Sequence, residues 1–150
     1  FTSMTLLENL CIPLEYAAHS GSRGSDVAPE AMDVLDQIGL ADRAHDFPAD
    51  LTQIDMRKLE LARAMAAKPQ LLISDEAMAG LSASEVDDIL EILFKLNEGG
   101  IAIIMIEHIM RAVMNFSERI VVLDAGKKIA EGTPDEIVNN KAVERAYLGE

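Results

Sequence analysis

Residues 71–76 constrain the fold most, because a short apolar run leads directly into two adjacent carboxylates, Asp75 and Glu76. Pro69 precedes the run and Ala79-Gly80 follow it, so it is bounded as a short strand would be. Such a run is typical of a strand buried inside a parallel sheet, and open α/β sheets bind their ligands at the carboxyl ends of these strands. Two carboxylates there suit a magnesium-assisted reaction, in which one holds the ion and the other orients or deprotonates a water. The alternative is that they only begin a polar loop.

The rest of residues 68–150 alternates between helix and strand patterns. A capping box at residues 82–85 predicts a helix that ends near Gly99-Gly100. Residues 101–106 are nearly all apolar, which predicts a second strand covered on both faces. A short helix to about Phe116 should lead to further strands over residues 119–124 and 127–131, and a third capping box with Pro134 predicts one or two closing helices. The apolar stripe of the long helix consists of Val86, Ile89, Leu90, Leu93 and Leu96.

Residues 1–67 carry mainly helical patterns. A capping box at residues 5–8 predicts a helix to about Tyr16, Pro29 suits the first turn of a second helix that stops at Gly39, and a third helix is predicted over residues 55–67. Residues 21–25 predict a mobile loop. The chain is therefore assigned to the α/β class, with a helical leader over residues 1–67.

Composition excludes several classes of function. The net charge of −13 over 150 residues argues against nucleic-acid binding, which needs clustered Lys and Arg. Cys11 is the only cysteine, so an intrachain disulfide is impossible, and we expect it to pack as a small core residue. No apolar run approaches the roughly 20 residues of a membrane span. A cytoplasmic location is the expectation, and the first residue, Phe1, suggests a piece of a longer chain.

Three features are expected at one edge of the sheet, where strands end or helices begin. They are the pair Asp75-Glu76, the turn at residues 79–82 and the pair Glu107-His108. A histidine just past a strand could polarise or sense a phosphate oxygen near the carboxylates. On its own, a histidine at position 108 is more often a residue at a helix start or on the surface.

With these motifs in order, the sequence resembles the ATP-binding-cassette (ABC) transporter ATPases, and more closely the nucleotide-binding subunits of branched-chain amino acid importers. The resemblance implies that residues 1–67 are the helical subdomain and that residues 68–150 are the C-terminal part of a RecA-like P-loop NTPase core, a parallel sheet with flanking helices. The resemblance extends over essentially all 150 residues and rests on seven matching stretches. They are residues 71–76 (similar to the Walker B strand), 79–82 (the D-loop), 106–108 (the switch histidine), 119–124, 130–136, 146–150 and 1–10.

The resemblance implies a role for each matching residue. Asp75 takes the magnesium-associated position, Glu76 the position of the general base, and His108 that of the histidine that contacts the γ-phosphate. The implied cofactors are ATP and Mg²⁺. The residues implied at the nucleotide site are Asp75, Leu51, Thr52, Gln53, Ile54, Asp55, Gly80 and Ser82.

The chain departs from the family pattern in the signature segment, which we define as residues 51–55. The usual sequence is Leu-Ser-Gly-Gly-Gln, and this chain has Leu-Thr-Gln-Ile-Asp. Thr52 keeps a hydroxyl for the γ-phosphate, but Ile54 replaces a glycine whose missing side chain allows close backbone approach. Asp55 should cap the following helix well and repel ATP. Ser74 interrupts the apolar run, and Ala77 stands where proline is common.

A second departure is that no Gly-x-x-x-x-Gly-Lys-Ser/Thr phosphate loop occurs in the 150 residues, and the family's glutamine loop is missing too. In P-loop enzymes this phosphate loop cradles the phosphates and its hydroxyl holds Mg²⁺. We therefore expect the chain to be the C-terminal part of such an ATPase, with no ATP or Mg²⁺ bound to it alone.

The implied partners are a second ATP-binding subunit, identical or paralogous, and membrane permease subunits that dock on residues 1–67. The implied location is the cytoplasmic face of the cell membrane. A degenerate signature segment leaves open an alternative, a regulatory partner that does not hydrolyse ATP. Uncovered sheet edges and apolar faces should also make the isolated chain form a non-native dimer or a larger oligomer.

Overall fold

The computed structural model describes residues 1–18 and 27–148. The loop predicted at residues 21–25 and the last two residues of the predicted ending lie outside the described residues. The chain divides into two compact units, Phe1–Ile106 and Glu107–Glu150. This division follows from which residues contact one another, and it does not test the predicted domain boundary after residue 67.

Three helices form the first part of unit one, as the sequence predicted. They are α1 (Leu6–Ala18), α2 (Ala28–Gln37) and α3 (Gln53–Ala66), joined between α2 and α3 by two short 3-10 turns, Ala41–Arg43 and Pro48–Asp50. Each of these helices packs against the other two. Their shared core is aliphatic and consists of Leu6, Leu10, Leu14, Ala31, Val34, Leu35, Leu59, Ala62 and Ala66.

Local hydrogen bonds define the start of α1. The backbone amide of Thr5 donates to Glu8 Oε2 (2.7 Å) and the amide of Glu8 donates to Thr5 Oγ1 (3.3 Å), so the predicted capping box is confirmed. Asn9 is fully buried, and its Nδ2 lies within hydrogen-bonding distance of the carbonyl oxygens of Phe1 (3.0 Å), Met4 (3.1 Å) and Thr5 (2.9 Å), so that its two N–H groups are shared among three acceptors. These bonds explain how a polar side chain is tolerated in this core.

Strand β1 (Leu71–Asp75), helix α4 (Ala83–Glu98) and strand β2 (Ala102–Ile106) follow as a β-α-β unit. The two strands pair in parallel, with Asp75 opposite Ile106. The predicted capping box at Ser82 and Glu85 is present, and all five predicted stripe residues of α4 are buried. The apolar stripe therefore covers one face of the sheet, as a crossover helix should.

The other face of this sheet corrects a prediction. The apolar runs predicted strands covered on both faces, but in the described part of the chain Leu71, Ile73, Ile104 and Ile106 are 48%, 59%, 49% and 50% exposed. Successive side chains of a strand point to opposite faces, and α4 covers only one of them. The apolar sequence of a strand shows that its side chains are hydrophobic but does not show whether another layer of the protein covers them. We name these four side chains the bare face.

We expect the bare face to drive self-association of the 150-residue chain. Ile73 and Ile104 are register partners in the centre of this face, and contact with a second copy would remove their apolar surface from water. The double variant Ile73→Lys with Ile104→Lys should therefore shift the light-scattering mass of the chain from a dimer or larger species towards the monomer. The matched control is Leu123→Lys with Val138→Lys, which changes two exposed aliphatic residues of unit two and should leave the mass unchanged. A monomeric unmodified chain would contradict this prediction.

Unit two is a small α/β arrangement of its own. Helix α5 (Met110–Phe116) precedes an antiparallel pair, β3 (Ile120–Asp124) and β4 (Lys127–Gly132), and helices α6 (Pro134–Val138) and α7 (Lys141–Leu148) follow. The predicted capping box at Thr133 begins α6. The core of unit two consists of Ile120, Ala130, Ile137 and Val143. Among residues 1–18 and 27–148, no helix is long and apolar enough to cross a membrane.

Candidate functional site

The carboxylate pair stands at the end of β1. Asp75 is the last residue of the strand, and Glu76 follows it in a left-handed backbone conformation with φ of 47°. The amide of Glu76 donates to the carbonyl of Ile106 (2.9 Å), which ties the residue to the end of β2. Both carboxylates belong to exposed residues. Backbone pairing therefore fixes where Glu76 leaves the sheet, while its side chain is accessible to water.

The turn after β1, which we define as residues 76–82, connects this strand to α4. The amide of Ala79 donates to the carbonyl of Glu76 (3.2 Å) and the amide of Leu81 donates to the carbonyl of Met78 (3.2 Å). Met78 is fully buried and anchors the turn, and Gly80 has φ of 78°, which favours glycine. The predicted D-loop, residues 79–82, thus belongs to an ordered turn that begins at the second residue of the carboxylate pair.

The signature segment lies against this turn. Thr52 is the N-cap of α3, and Gln53 Nε2 donates to the carbonyl of Ala79 (3.2 Å). The approach is close, since a Cβ atom on Gly80 would stand 2.6 Å from Gln53 Nε2. Of the residues predicted at the nucleotide site, the structure therefore brings Gln53 to the Ala79-Gly80 turn, although the two stretches are 26 residues apart in the sequence.

The carboxylate of Asp55 is enclosed by hydrogen-bond donors. Its Oδ2 accepts from Thr52 Oγ1 (2.8 Å) and from Arg43 Nη1 (2.8 Å), and the amide of Asp55 donates to Thr52 Oγ1 (3.3 Å). The N-cap of α3 is Thr52 and not Asp55 as predicted, because α3 begins at Gln53 and Asp55 lies in its first turn. The prediction that Asp55 repels ATP stays a prediction, and the ion pair with Arg43 partly offsets the negative charge on which it rests.

Sequence reasoning missed Arg43. This side chain also pairs with Asp46 through Nε (2.7 Å) and donates to the carbonyl of Asp50 through Nη2 (2.9 Å). The hydrogen bond with Asp46, together with the nearby charges of Asp55 and Asp50, holds the pKa of Arg43 above its usual value. The acidic residues near Arg43 in the sequence were the one signal that it forms ion pairs. An ion pair between residues 12 positions apart has no local sequence pattern.

His108 belongs to unit two and follows β2 by two residues. Its side chain is 66% exposed, and its Nδ1 lies 4.0 Å from Oε2 of Glu107, whose side chain is fully buried. An exposed imidazole is accessible to a ligand, but the predicted juxtaposition of His108 with Asp75 and Glu76 spans the two units and stays a prediction.

The carboxylates at the end of β1 suit a metal ion that takes only one or two of its ligands from the protein. In the described ranges 1–18 and 27–148, no group of three or more His, Cys, Asp or Glu side chains could hold a metal ion. A protein-only cage is therefore absent from this part of the chain. Mg²⁺ at nucleotide sites is usually held by one or two carboxylates, with phosphates and waters completing the shell. An exposed Asp75 fits that limited role.

Comparison with known proteins supports the resemblance. The family described as "Branched-chain amino acid ATP-binding cassette transporter" matches residues 127–150. The high-affinity branched-chain amino acid transport ATP-binding protein LivG of Salmonella typhimurium is 37% identical over the whole chain, which covers 64% of LivG. BraF of Pseudomonas aeruginosa, which carries the same description, is also 37% identical and matches 91% of this chain and 49% of its own length.

Solved structures agree with the sequence comparison. The ADP conformation of MJ1267, an ATP-binding cassette of an ABC transporter, superposes with a TM-score of 0.85 at 26% identity over 99% of this chain and 64% of that chain. A nucleotide-free cassette from an ABC transporter gives 0.84 at 25% identity. The resemblance to ABC ATPases and the predicted α/β fold of the P-loop NTPase type are confirmed. The chain spans 64% of the length of LivG.

Proposed function

We propose that this chain, given its confirmed resemblance to the ATP-binding cassettes of branched-chain amino acid transport, supplies the magnesium and water side of an ATPase that drives import of these amino acids. The observation that supports this most is the exposed pair Asp75-Glu76 at the end of a parallel strand, because ligands of open α/β sheets bind at this edge. The relatives described as branched-chain amino acid transport ATP-binding proteins support the substrate class.

Each residue of the pair has a distinct role in this proposal. Asp75 would hold Mg²⁺, and Glu76 would orient the attacking water and accept its proton. The bound ion would neutralise charge on the phosphates of ATP. His108 would contact the γ-phosphate as a hydrogen-bond donor. The hydrogen bond from the Glu76 amide to Ile106 supports the role of Glu76, because it fixes the backbone from which the general base extends.

The phosphate side of the site must come from elsewhere in this proposal. The chain has no phosphate loop, so ATP would bind between a phosphate-binding part outside these 150 residues and the signature segment of a second subunit. The second subunit is an identical copy or a paralogue. The isolated chain should then bind neither ATP nor Mg²⁺ appreciably.

The proposed membrane partner is a permease that docks on residues 1–67, at the cytoplasmic face of the membrane. In support, these residues form a helical bundle, and helices α1, α2 and α3 border a cavity of about 430 Å³. Its remaining walls are Lys68, Pro69, Leu96 and Ile101. Glu30, Asp33 and Gln37 place polar groups beside apolar side chains such as Val34 there. Partner proteins can dock by laying the apolar face of a helix into an apolar groove of this kind.

ATP hydrolysis by a protein of the relatives' full length tests the proposal. A protein that joins this chain to a phosphate-binding front part should hydrolyse ATP in a magnesium-dependent way. Binding of ATP without turnover would instead support a second candidate function, a regulatory partner in an ABC system that does not hydrolyse ATP.

One observation favours that second candidate. The hydroxyl of Thr52, which should be free for a γ-phosphate, donates to Asp55 and accepts from the Asp55 amide. Ile54 also adds a side chain where the usual signature has glycine. A signature segment closed in this way would bind nucleotide weakly. Full-length turnover decides between the two functions, because only the first requires Glu76 to act on water.

A further inference from the structure

We propose that Arg43 is a positioning residue, which holds the turn after β1 in place through Asp55 and Gln53. The guanidinium uses all three of its nitrogens. Nε pairs with Asp46 (2.7 Å), Nη1 with Asp55 (2.8 Å), and Nη2 donates to the carbonyl of Asp50 (2.9 Å). Because the guanidinium is planar and its donors point in fixed directions, three partners define its position. Asp55 is thereby held at a fixed place relative to the connector before α3.

Asp55 transmits this constraint to the start of α3. Its side chain is only 17% exposed, and it closes a ring of hydrogen bonds with Thr52: Thr52 Oγ1 donates to Asp55 Oδ2 (2.8 Å), and the Asp55 amide donates back to Thr52 Oγ1 (3.3 Å). Bonds to charged groups are stronger than neutral ones. Residues 52–55 are therefore held to Arg43 by side-chain bonds, and the backbone of Gln53 is held in place with them.

Gln53 carries the constraint across to the turn. Its Nε2 donates to the carbonyl of Ala79 (3.2 Å) and lies against Gly80. The amide of Ala79 in turn donates to the carbonyl of Glu76, the predicted general base (3.2 Å). The first glycine of the usual signature could not make this bridge, since it has no side chain. Because Gln53 stands where the usual signature has glycine, this chain gains a contact to the turn within its altered signature segment.

The functional meaning of this inference rests on the proposed function, because it is the ATPase that gives the turn and Glu76 a task. The contacts themselves do not depend on ATP. A readout on backbone amides therefore separates the two claims: failure of Glu76 as a base would leave the positioning intact, and loss of positioning would be visible without nucleotide.

Hydrogen exchange of the 150-residue chain, followed amide by amide, tests the inference. The amides of Ala79 and Leu81 report on the turn because both donate within it. Gln53→Ala should speed their exchange by about fivefold, while the Asp55 amide changes less than about twofold. Arg43→Ala should speed exchange of all three amides by about five- to tenfold, and Arg43→Lys should restore part of the protection.

A matched control and a fold check complete the experiment. Arg57→Ala removes an arginine on α3 that pairs with Glu60 (2.8 Å), and it should leave Ala79 and Leu81 unchanged. The buried Leu93 amide of α4 should also keep its exchange rate in every variant, which excludes general loosening. The inference is wrong if Gln53→Ala leaves the turn amides unchanged, or if Arg43→Ala speeds exchange at Asp55 but not at Ala79 and Leu81. Should Arg43→Ala fail to fold, Gln53→Ala and Arg43→Lys still decide.

Discussion

Replacing Glu76 by Gln is expected to lower ATP turnover by about 10²- to 10³-fold in a protein that joins this chain to a phosphate-binding front part. The amide has the shape of the carboxylate but cannot accept the proton of the attacking water. Because Glu76 is exposed at the end of β1 and its backbone is held by the bond to Ile106, the substitution should not disturb the fold. Steady-state phosphate release, measured beside ATP binding, checks the result, and binding should change less than about threefold.

The control for this experiment is Glu98→Gln, which removes the same charge from an exposed residue at the end of α4. It should leave turnover unchanged. If Glu76→Gln and Glu98→Gln both retain full turnover, Glu76 is not the general base, and the task assigned to the carboxylate pair is wrong. Equal losses in both variants would point to an effect of net charge instead.

Truncation of Leu93 to Ala should lower the free energy of unfolding by about 2 to 5 kcal/mol. Leu93 is fully buried in the stripe of α4, so the shortened side chain would leave a cavity. The sequence predicted correctly that this stripe is buried. Urea unfolding, followed by far-ultraviolet circular dichroism, measures the loss as a lower midpoint with a similar slope.

Asp88→Ala is the matched control, because Asp88 is an exposed residue of the same helix. Substitutions at exposed helix positions usually change stability by less than about 0.5 kcal/mol. If Leu93→Ala shifts the urea midpoint no more than Asp88→Ala does, the buried stripe of α4 is not packed as described.

Local sequence signals account for much of the fold. The capping boxes at Thr5, Ser82 and Thr133 each predicted a helix start that the structure contains, because the required hydroxyl and carboxylate lie within four residues of each other. The strands were placed correctly for a related reason, since apolar runs between turn residues have few alternatives. Their burial was predicted wrongly, because Ile73 and Ile104 look the same in sequence whether or not a layer covers them.

The site was predictable in part. The end of β1 could be located from the sequence, so the position of Asp75 and Glu76 followed from the strand, while their catalytic roles stay predictions. The contacts of Arg43 with Asp55 and of Gln53 with Ala79 were not predictable. They join residues 12 and 26 positions apart, and no repeating pattern records such distances. The burial of Asn9 was also not predicted, although its contacts are local. The sequence shows a polar residue among apolar ones but does not show that nearby carbonyl oxygens accept its hydrogen bonds.

Calorimetric titration of ATP and Mg²⁺ into the isolated 150-residue chain tests the central claim most directly. The claim is that Asp75 and Glu76 form the magnesium and water side of a nucleotide site whose phosphate side lies outside these residues. Without backbone amides and a lysine to hold the phosphates, we expect no saturable heat, with any Kd weaker than about 1 mM. Micromolar binding would contradict the account, because it would show that the chain holds the phosphates by itself.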